Sequence, residues 1–436
     1  MALTTQPYKG TRDFYPDEKR TQNYIFGVMR SVSERFGYEE YDAPILEPIE
    51  LYQAKSGAEI VSEQTYLFTD RGGRQVAIRP EMTPTVSRMV AGRRQELGYP
   101  LRWYSIPNLM RYERPQRGRL REHWQLNVDI FGVKGLEAEH EIIALADAVM
   151  QGYGAKRDMY TVKLNSRKLM DYLLADYLGF DAEQSTRIAK IIDHMHKVST
   201  EVFQKEIDDV LSDSQRSNNT GQKLVDLLSA KSLDQLPSEV ADNTVAVELQ
   251  KLLDLLQSSG ITNVVFDITI MRGFDYYTDI VFEVMDTDPE NNRSMFGGGR
   301  YDGLVGLFGV EPVPTVGFGM GDVTIANFLT SHSLMPELKV VTDVYVVLVG
   351  DVYSHAQATI ASLRSQGLNV AVDTSGRKPG DQIKNAVKKN INFVLFIGDK
   401  ELADGKFSLK NLADGQESNI SVEEVASAVK TYHQSK

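Results

Sequence analysis

Hydrophobic spacing divides the first 160 residues into alternating helices and strands. Apolar positions recur at helical spacing in residues 21–36, and two further stretches, residues 83–91 and 137–150, also predict helices. Short apolar runs predict four strands, at residues 67–71, 75–79, 101–112 and 122–132. Residues 38–52 are expected to be extended, because two prolines interrupt them. The pattern indicates a domain of the α+β class.

A block of leucine-rich helices interrupts this pattern at about residues 165–258. Apolar residues recur there at a spacing near 3.6, and polar stretches such as residues 212–220 separate the helices. Strand-like runs then return at residues 264–270 and 279–284. We therefore predict one domain, residues 1–330, into which a helical insertion is placed.

The last ninety residues have a different pattern, in which short apolar strands alternate with amphipathic helices. The predicted elements, in chain order, are strand 344–349, helix 354–366, strand 370–373, helix 380–389, strand 393–397 and a final helix. Such alternation predicts parallel strands in a compact α/β unit. We expect residues 344–436 to form a second domain, joined to the first by a linker at residues 331–343.

Composition narrows the class of protein. The net charge of -12 argues against indiscriminate coating of nucleic acid, although a local basic patch is enough for a specific RNA partner. Cysteine is absent and the seven histidines show no ligand spacing, so we expect no metal site formed by the protein alone. Neither a signal peptide nor a membrane-length apolar run is evident, which favours a cytoplasmic protein.

The densest positive charge lies in residues 111–121, which we call the arginine loop. Five of its eleven residues are arginines, and a proline and a glycine among them disfavour a helix. Like charges repel one another unless an anion lies between them. A solvated surface run is the plainer interpretation, but the flanking residues favour a loop that grips phosphate.

Those flanking residues alternate as they would on two strands. Arg111 and Glu113 would face one side of the first strand, and Gln125, Asn127 and Asp129 one side of the second. A sheet face that packs on the core is not this polar. We therefore predict the floor of a ligand site, with a solvent-facing sheet as the alternative.

Four further motifs carry chemistry. In residues 79–85 a glutamate precedes Thr83-Pro84, which is also the pattern of a helix N-cap. Residues 271–278 place an arginine and paired tyrosines after a strand, and aromatic packing is the alternative. Residues 296–304 and 316–321 are glycine-rich, which suits a ligand lying against the backbone but also close packing of a helix on a strand.

Taken in order, these motifs resemble the histidyl-tRNA synthetase family. The resemblance rests on residues 79–81, 111–115, 272–277 and 298–303, which read Arg-Pro-Glu, Arg-Tyr-Glu-Arg-Pro, Arg-Gly-Phe-Asp-Tyr-Tyr and Gly-Gly-Arg-Tyr-Asp-Gly. It implies a class II catalytic core built on an antiparallel sheet and a C-terminal anticodon-binding domain. It also implies a homodimer, with the surroundings of Pro44 at the interface.

The resemblance implies roles for individual residues. Arg111 and Arg272 would be catalytic, holding the ATP α-phosphate where negative charge grows. ATP would also contact Glu113 through adenine, Arg119 through the terminal phosphates, which Mg²⁺ shares, and the ring of His123. The histidine substrate would be held by Glu81, Thr83, Gln125, Asp129, Tyr276, Tyr277 and Tyr301. The partner tRNA(His) would meet Arg114 and Gln116 at its acceptor end.

Two positions depart from the family pattern, and both concern ATP. Thr324 stands where the third class II motif has an arginine that packs on adenine, and His123 stands where a phenylalanine often stacks. The remaining arginines favour retained activity, and Arg117 or Arg121 are candidates to replace the missing cation.

The C-terminal unit has its own basic cluster around Arg377 and Lys378, continued by lysines at 384, 388 and 389. A solubilising surface is one interpretation, and a footprint for the tRNA anticodon is the other.

Two alternative functions of the protein remain at this point. One is the inactive regulatory subunit of ATP phosphoribosyltransferase, which shares the core fold but lacks the C-terminal domain. The other is a class II synthetase for another amino acid, such as threonine or proline.

Overall fold

The computed structural model describes residues 3–53, 63–195, 198–271, 276–291 and 293–434. The chain forms two compact units, Met1–Met335 and Pro336–Lys436. Among the described helices, none is both long enough and apolar enough to cross a lipid bilayer.

Twelve strands lie in the described part of the first unit. In chain order they are β1 Glu39–Glu40, β2 Leu46–Pro48, β3 Tyr66–Thr69, β4 Gln75–Ile78, β5 Leu101–Ser105, β6 Asn108–Met110, β7 Glu122–Phe131, β8 Tyr160–Ser166, β9 Val264–Phe266, β10 Ile280–Asp286, β11 Ser294–Arg300 and β12 Thr315–Gly321. Nine of them form one sheet in the order β1-β5-β7-β12-β11-β10-β8-β9, with β6 pairing on β7. Its central pairs are antiparallel, while β2, β4 and β3 form a separate small sheet.

The helices of this unit fall into two groups. Those of the core are α1 Pro16–Arg35, α2 Glu50–Gln53, α3 Thr83–Gly92 and α4 Glu137–Gly152, and those of the insertion are α5 Arg167–Asp171, α6 Ala182–His194, α7 Thr200–Asp208, α8 Asp213–Ser217, α9 Thr220–Leu228, α10 Ser238–Ala241 and α11 Thr244–Ser258. The core closes with α12 Asp322–Ser331. The insertion helices lie between β8 and β9, which pair with each other in the main sheet.

One face of the main sheet packs on helices and the other carries the site. Leu126, Val128 and Ile130 alternate along β7 and are buried in the same cluster as residues of α1, α4 and α12. Because side chains alternate across a strand, the intervening residues of β7 face the opposite side. The apolar face thus fixes the register that exposes the polar face.

The second unit is a five-stranded sheet flanked by helices. Its elements are β13 Val344–Val349, α13 Tyr353–Ser365, β14 Val370–Val372, α14 Pro379–Lys388, β15 Phe393–Gly398, α15 Asp399–Asp404, β16 Phe407–Asn411, β17 Glu417–Ile420 and α16 Val422–Gln434. The predicted parallel strands are confirmed, since β14 and β15 both pair parallel with β13. The antiparallel hairpin of β16 and β17 was not predicted. The α+β fold class, with its helical insertion and its C-terminal α/β unit, is confirmed.

Two local predictions are wrong. The strand expected at residues 101–112 is divided between β5 and β6, because Pro107 lies between them and has no amide hydrogen to donate. Arg111 and Glu113 therefore do not alternate on a strand. They follow β6, where the amide of Glu113 bonds to the carbonyl of Arg111 at 2.8 Å and bends the chain. The extended stretch at residues 38–52 also ends early, in helix α2.

Candidate active site

The floor of the site is a strip of glycines in the middle of the main sheet. Gly317 and Gly319 of β12 pair with Asp129 and Asn127 of β7, and on their other side with glycines of β11. A Cβ added at Gly317 would lie 2.0 Å from Oδ1 of Asp129, and one added at Gly319 would lie 2.8 Å from the side chain of Gln125. The carbonyl oxygen of Val128 would also lie 2.6 Å from a Cβ at Gly317, so glycine is required there, whereas the flexible end of Gln125 could move away from one at Gly319. Together the glycines leave a flat surface for a ligand.

A cavity of about 630 Å³ lies over this floor, within the range typical of small-molecule sites. It brings together eleven of the residues predicted from the sequence: Glu81, Thr83, Arg111, Glu113, Arg119, His123, Gln125, Asp129, Tyr276, Tyr277 and Tyr301. Arg114 and Gln116 lie in the arginine loop but do not line the cavity. Arg272 lies outside the described residues.

One end of the cavity is acidic and aromatic. The hydroxyl of Tyr301 donates a hydrogen bond to Asp129, and burial raises the pKa of Asp129 to about 7. The hydroxyl of Tyr276 donates to Oε2 of Glu81 at 3.3 Å, and its ring lies 4.8 Å from that of Tyr277. A buried carboxylate of raised pKa gains stability from a hydrogen-bond donor or a cation, so this end suits a ligand that supplies either.

Thr83 lies on the wall of the same cavity as the first residue of α3. The N-cap position belongs to Met82, which makes no side-chain capping bond. The capping interpretation of Thr83 is therefore wrong, while its neighbour Pro84 does occupy the first turn.

The other end of the cavity carries cations and an uncharged ring. Arg111 is anchored by a 2.8 Å hydrogen bond from its Nε to the carbonyl of Pro80, and Arg119 lies 3.5 Å from the carboxylate of Glu113. Burial, with Arg111 and Arg12 nearby, lowers the pKa of His123 to about 3. The His123 ring is therefore neutral at physiological pH and presents a flat surface for stacking.

Arg121 has a structural role at the base of the arginine loop. Its guanidinium lies 3.9 Å from the ring centre of Tyr112 and donates to the hydroxyl of Tyr8 at 2.9 Å and to the carbonyl of Glu113 at 3.2 Å. Arg121 also donates through its amide to the carbonyl of Gly10 at 2.8 Å. These contacts hold the side chain away from the cavity, so Arg121 does not replace the missing cation.

Sequence reasoning missed residues on the far wall. Lys163 of β8 and Glu283 of β10 face each other in register and line the cavity, and Lys163 also pairs with Asp267 at 2.8 Å. Asp193 brings the helical insertion to the same cavity. The available signal was a charged residue between apolar neighbours in each strand, Lys163 between Val162 and Leu164, and Glu283 between Phe282 and Val284.

Two arginines of the recognised motifs belong to the scaffold. Arg300 is buried and donates through Nε and Nη2 to the two carboxylate oxygens of Glu139, at 2.5 and 2.7 Å. Arg79 is also buried, and it donates to the carbonyls of Ala43 at 2.7 Å and Asn108 at 3.0 Å. The bidentate pair of Arg300 with Glu139 fixes the geometry beside Tyr301, and the two carbonyl contacts of Arg79 do the same beside Glu81.

The basic cluster of the second unit is partly engaged. Arg377 pairs with Asp373 at 2.9 Å, and Lys384 pairs with Asp381 at 3.1 Å. Lys378 precedes the first turn of α14, at its N-cap position. The exposed basic face therefore consists mainly of lysines, with Arg377 fixed at its edge.

The sheet with its glycine floor, the arginine loop and the separate C-terminal α/β unit define a class II aminoacyl-tRNA synthetase. Comparison with known proteins is more specific. The model of the family described as histidyl-tRNA synthetase matches residues 10–322, and that of the anticodon binding domain matches residues 343–432. The chain belongs to the histidyl-tRNA synthetase family.

Individual relatives agree over nearly the whole chain. The histidine–tRNA ligase of Leptospira biflexa is 42% identical, covering 98% of each chain, and that of Thermoplasma volcanium is 38% identical, covering 95% of this chain and 96% of the relative. The crystal structure of histidyl-tRNA synthetase from Nostoc superposes with a TM-score of 0.82 at 23% identity, covering 99% of this chain and 100% of that one. That likeness concerns the fold.

Proposed function

We propose that the chain activates histidine with ATP to histidyl-adenylate and transfers the histidyl group to the 3′ end of tRNA(His). One observation carries the proposal. A single cavity holds the buried Asp129–Tyr301 pair at one end and the anchored Arg111 at the other. The first end suits an imidazole and the second suits a phosphate. The glycine floor of β11 and β12 lies between the two ends.

Histidine recognition is assigned to the acidic end. Neutral imidazole has one donor and one acceptor nitrogen, and Asp129 accepts from the donor. Glu81, held by Tyr276, takes the α-ammonium group. Gln125, Thr83, Tyr277 and Tyr301 complete the wall. A pocket that pairs both ring nitrogens rejects apolar competitors, since they would leave buried polar groups unpaired.

Activation is assigned to the cationic end. The carboxylate of histidine attacks the α-phosphorus of ATP, the bond to the pyrophosphate oxygen breaks, and pyrophosphate leaves with the electron pair. Arg111, and Arg272 from outside the described residues, stabilise the charge that grows on the α-phosphate. His123 stacks on adenine, Glu113 accepts from its amino group and Arg119 holds the terminal phosphates. Catalysis is thus mainly orientation and electrostatics, without a covalent enzyme intermediate.

Magnesium enters as a companion of ATP. No described group of three or more histidine, aspartate and glutamate side chains forms a metal site. Mg²⁺ seldom needs such a site, because it keeps several waters and binds through phosphates and one or two carboxylates. The cavity fits this mode, with the carboxylate of Glu283 on its wall. When bound, the ion neutralises charge on the terminal phosphates.

Transfer requires the tRNA to reach both units. The exposed residues Arg114 and Gln116 of the arginine loop are assigned to the acceptor end. Arg377, Lys378 and the lysines of α14 are assigned to the anticodon, whose single-stranded bases have readable edges. We assign residues 1–330 to catalysis, residues 331–343 to a linker and residues 344–436 to anticodon binding. A role in protein synthesis places the enzyme in the cytoplasm.

A homodimer is proposed from an exposed apolar patch on the small sheet. Ile45, Leu46, Leu67 and Phe68 are each between 43% and 47% exposed. Leu46 belongs to β2, and Leu67 and Phe68 to β3. Leu46 and Phe68 share one face of this sheet, because Ile78 pairs with both Leu46 and Tyr66, and Tyr66 and Phe68 point to the same side of β3. Exposed apolar side chains on one sheet face favour an interface, and these lie close to Pro44 in the chain. A second copy of the chain is the proposed occupant.

The regulatory role is not favoured. The full-length relatives are named as histidine–tRNA ligases, and the anticodon-binding model matches the second unit. The deciding test is charging of tRNA(His) with labelled histidine by the purified chain. Histidine-dependent charging is expected. Its absence, together with activation of an ATP phosphoribosyltransferase, would support the regulatory role instead.

A further inference from the structure

The tip of the arginine loop lies against α12 at Thr324, the position where the family pattern has an arginine. The tip is a tight turn, in which the amide of Gln116 donates to the carbonyl of Arg119 at 3.0 Å and the amide of Arg119 donates back at 2.9 Å. Gly118 closes the turn with φ of 78°, a conformation that favours glycine. A Cβ added to Gly118 would lie 3.5 Å from Cγ2 of Thr324 and 4.0 Å from Nδ2 of Asn327.

A second element supports the tip. Nη1 of Arg117 donates to the carbonyl of Glu290 at 3.3 Å, and Nη1 of Arg293 donates to Oε1 of Gln116 at 3.4 Å. Both contacts come from the turn between β10 and β11. The tip is therefore held by α12 and by this turn, while Arg121 holds the base of the loop. All these contacts are made between residues of the chain.

We propose that Thr324 is the position on α12 against which the tip of the arginine loop packs, and we call this position the seat. We also propose that the tip, packed on its seat, replaces the missing arginine as the wall of the adenine site. Gly118, Arg119, Leu120 and Thr324 line the same cavity as His123. Adenine on the ring of His123 is then covered by the backbone of the tip. The proposal rests on the proposed function, because it assigns ATP to this end of the cavity.

The local packing explains why residue 324 must be small. Oγ1 of Thr324 donates to the carbonyls of Met295 at 2.9 Å and Gly321 at 3.0 Å, and its Cγ2 faces the tip. Arginine has a single γ-carbon. Of the three staggered directions open to it, one that followed Oγ1 would meet the two carbonyl oxygens, and one that followed Cγ2 would run toward Gly118. Arginine at this position displaces the loop instead of adding a contact.

Displacement of the tip has a consequence for phosphate binding. Arg119 adjoins Gly118 in the turn and is 62% exposed, with its partner Glu113 in the same loop. A loop that leaves its seat takes Arg119 away from the terminal phosphates. Contacts that hold the tip in place also reduce the conformational entropy that the loop loses when ATP binds. Thr324 is thus a positioning residue that acts on ATP through the loop.

The kinetic test compares Thr324→Arg with Thr324→Ser in histidine-dependent ATP–pyrophosphate exchange. Thr324→Arg restores the residue of the family pattern. If the chain merely lacked this arginine, the variant would bind ATP more tightly than the wild type. The seat predicts a KM for ATP raised about tenfold or more, with the KM for histidine changed less than about threefold. Thr324→Ser should stay within about threefold for both substrates. An unchanged or lowered KM for ATP in Thr324→Arg overturns the proposal.

A second test needs no activity. Trypsin needs an extended segment, so it cleaves after the exposed Arg117 and Arg119 only when the turn at the tip opens, and cleavage without added ATP reports the seat. Thr324→Arg should speed this cleavage and Thr324→Ser should leave it at the wild-type rate, while cleavage after the exposed Arg71 serves as the internal control. A wild-type rate in Thr324→Arg overturns the seat. If the wild type shows no histidine-dependent exchange, the proposed function fails, yet the protease result still decides whether the loop is seated.

Discussion

Tyr301 donates a hydrogen bond to Asp129, although 172 residues separate them in the chain. Both side chains are buried at the acidic end of the cavity. Burial, the largest effect, raises the pKa of Asp129, and the Tyr301 hydroxyl partly opposes it. Asp129 therefore lies in a place where its charge is costly unless a ligand compensates, which is a signature of functional carboxylates.

Asp129→Asn should reduce histidine activation strongly. The amide can still accept from Tyr301, but its second atom is a donor and meets the imidazole N–H unfavourably. We expect kcat/KM for histidine to fall about 100-fold or more, on the order of 3 kcal/mol. ATP–pyrophosphate exchange measures this. Asp254→Asn, an exposed aspartate of the insertion, is the matched control. Near wild-type activity in Asp129→Asn would remove Asp129 from the histidine site.

The same carboxyl group should make stability depend on pH. Its pKa is about 7 in the folded chain, whereas an aspartate exposed to water has a pKa of 3.8, so the folded state binds the proton more tightly. This contribution therefore destabilises the fold progressively as pH rises from about 4 to about 7. We expect the free energy of unfolding of Asp129→Asn, measured relative to that of the wild type, to rise by roughly 2 to 3 kcal/mol between pH 5 and pH 8. Urea unfolding at both pH values measures it, and a pH-independent difference would contradict the assignment.

Only part of this site follows from the sequence. The alternation of Gln125, Asn127 and Asp129 predicted a polar face, because a strand alternates its side chains whatever its neighbours. The path of Arg111 and Glu113 was predicted wrongly, since it depends on the interruption at Pro107 and on the contact with Pro80. Both residues nevertheless line the cavity.

Hydrogen bonds between residues far apart in the chain could not be predicted from the sequence. Arg300 and Glu139 lie 161 residues apart, and Tyr8 and Arg121 lie 113 apart. Only the folded sheet shows that Arg300 is scaffold while its neighbour Tyr301 lines the cavity. Local periodicity carries no information about such pairing, which is set by tertiary packing. Lys163 could not be assigned to the cavity for the same reason, because its position there depends on the pairing of β8 with β10.

His123 should matter for ATP through its ring and not through charge. Its pKa of about 3 keeps it neutral above pH 4, so ATP binding should show no titration of this group near pH 6.5. His123→Phe should retain ATP binding, while His123→Ala should raise the KM for ATP about 5- to 150-fold, which corresponds to the roughly 1–3 kcal/mol of a stacked base. Steady-state exchange at varied ATP tests both. Equal KM values in Phe and Ala variants would argue against stacking.

Arg272→Ala should abolish adenylate formation and leave tRNA binding nearly intact. In the proposed mechanism the guanidinium of Arg272 stabilises the charge on the α-phosphate in the transition state, and it has no assigned contact with tRNA. Exchange and filter binding of tRNA(His) measure the two properties separately. Unchanged exchange in this variant would disprove the role assigned to Arg272.

Phe68→Glu should disrupt the proposed dimer. A charge in the middle of the exposed patch is unpaired once a second copy covers it, which is costly. Sedimentation velocity at micromolar concentration should show a dimer for the wild type and a monomer for the variant. Val247→Glu, at an exposed apolar position of the insertion, should remain dimeric. A monomeric wild type would contradict the interface.

The central claim is that the acidic end of the cavity selects histidine for attack on ATP. ATP–pyrophosphate exchange by the purified chain, run separately with each of the twenty amino acids, tests it most directly. We predict exchange with histidine alone. Exchange with another amino acid instead of histidine would contradict the assignment of Asp129 and Tyr301, and exchange with none of the twenty would contradict the proposed activity itself.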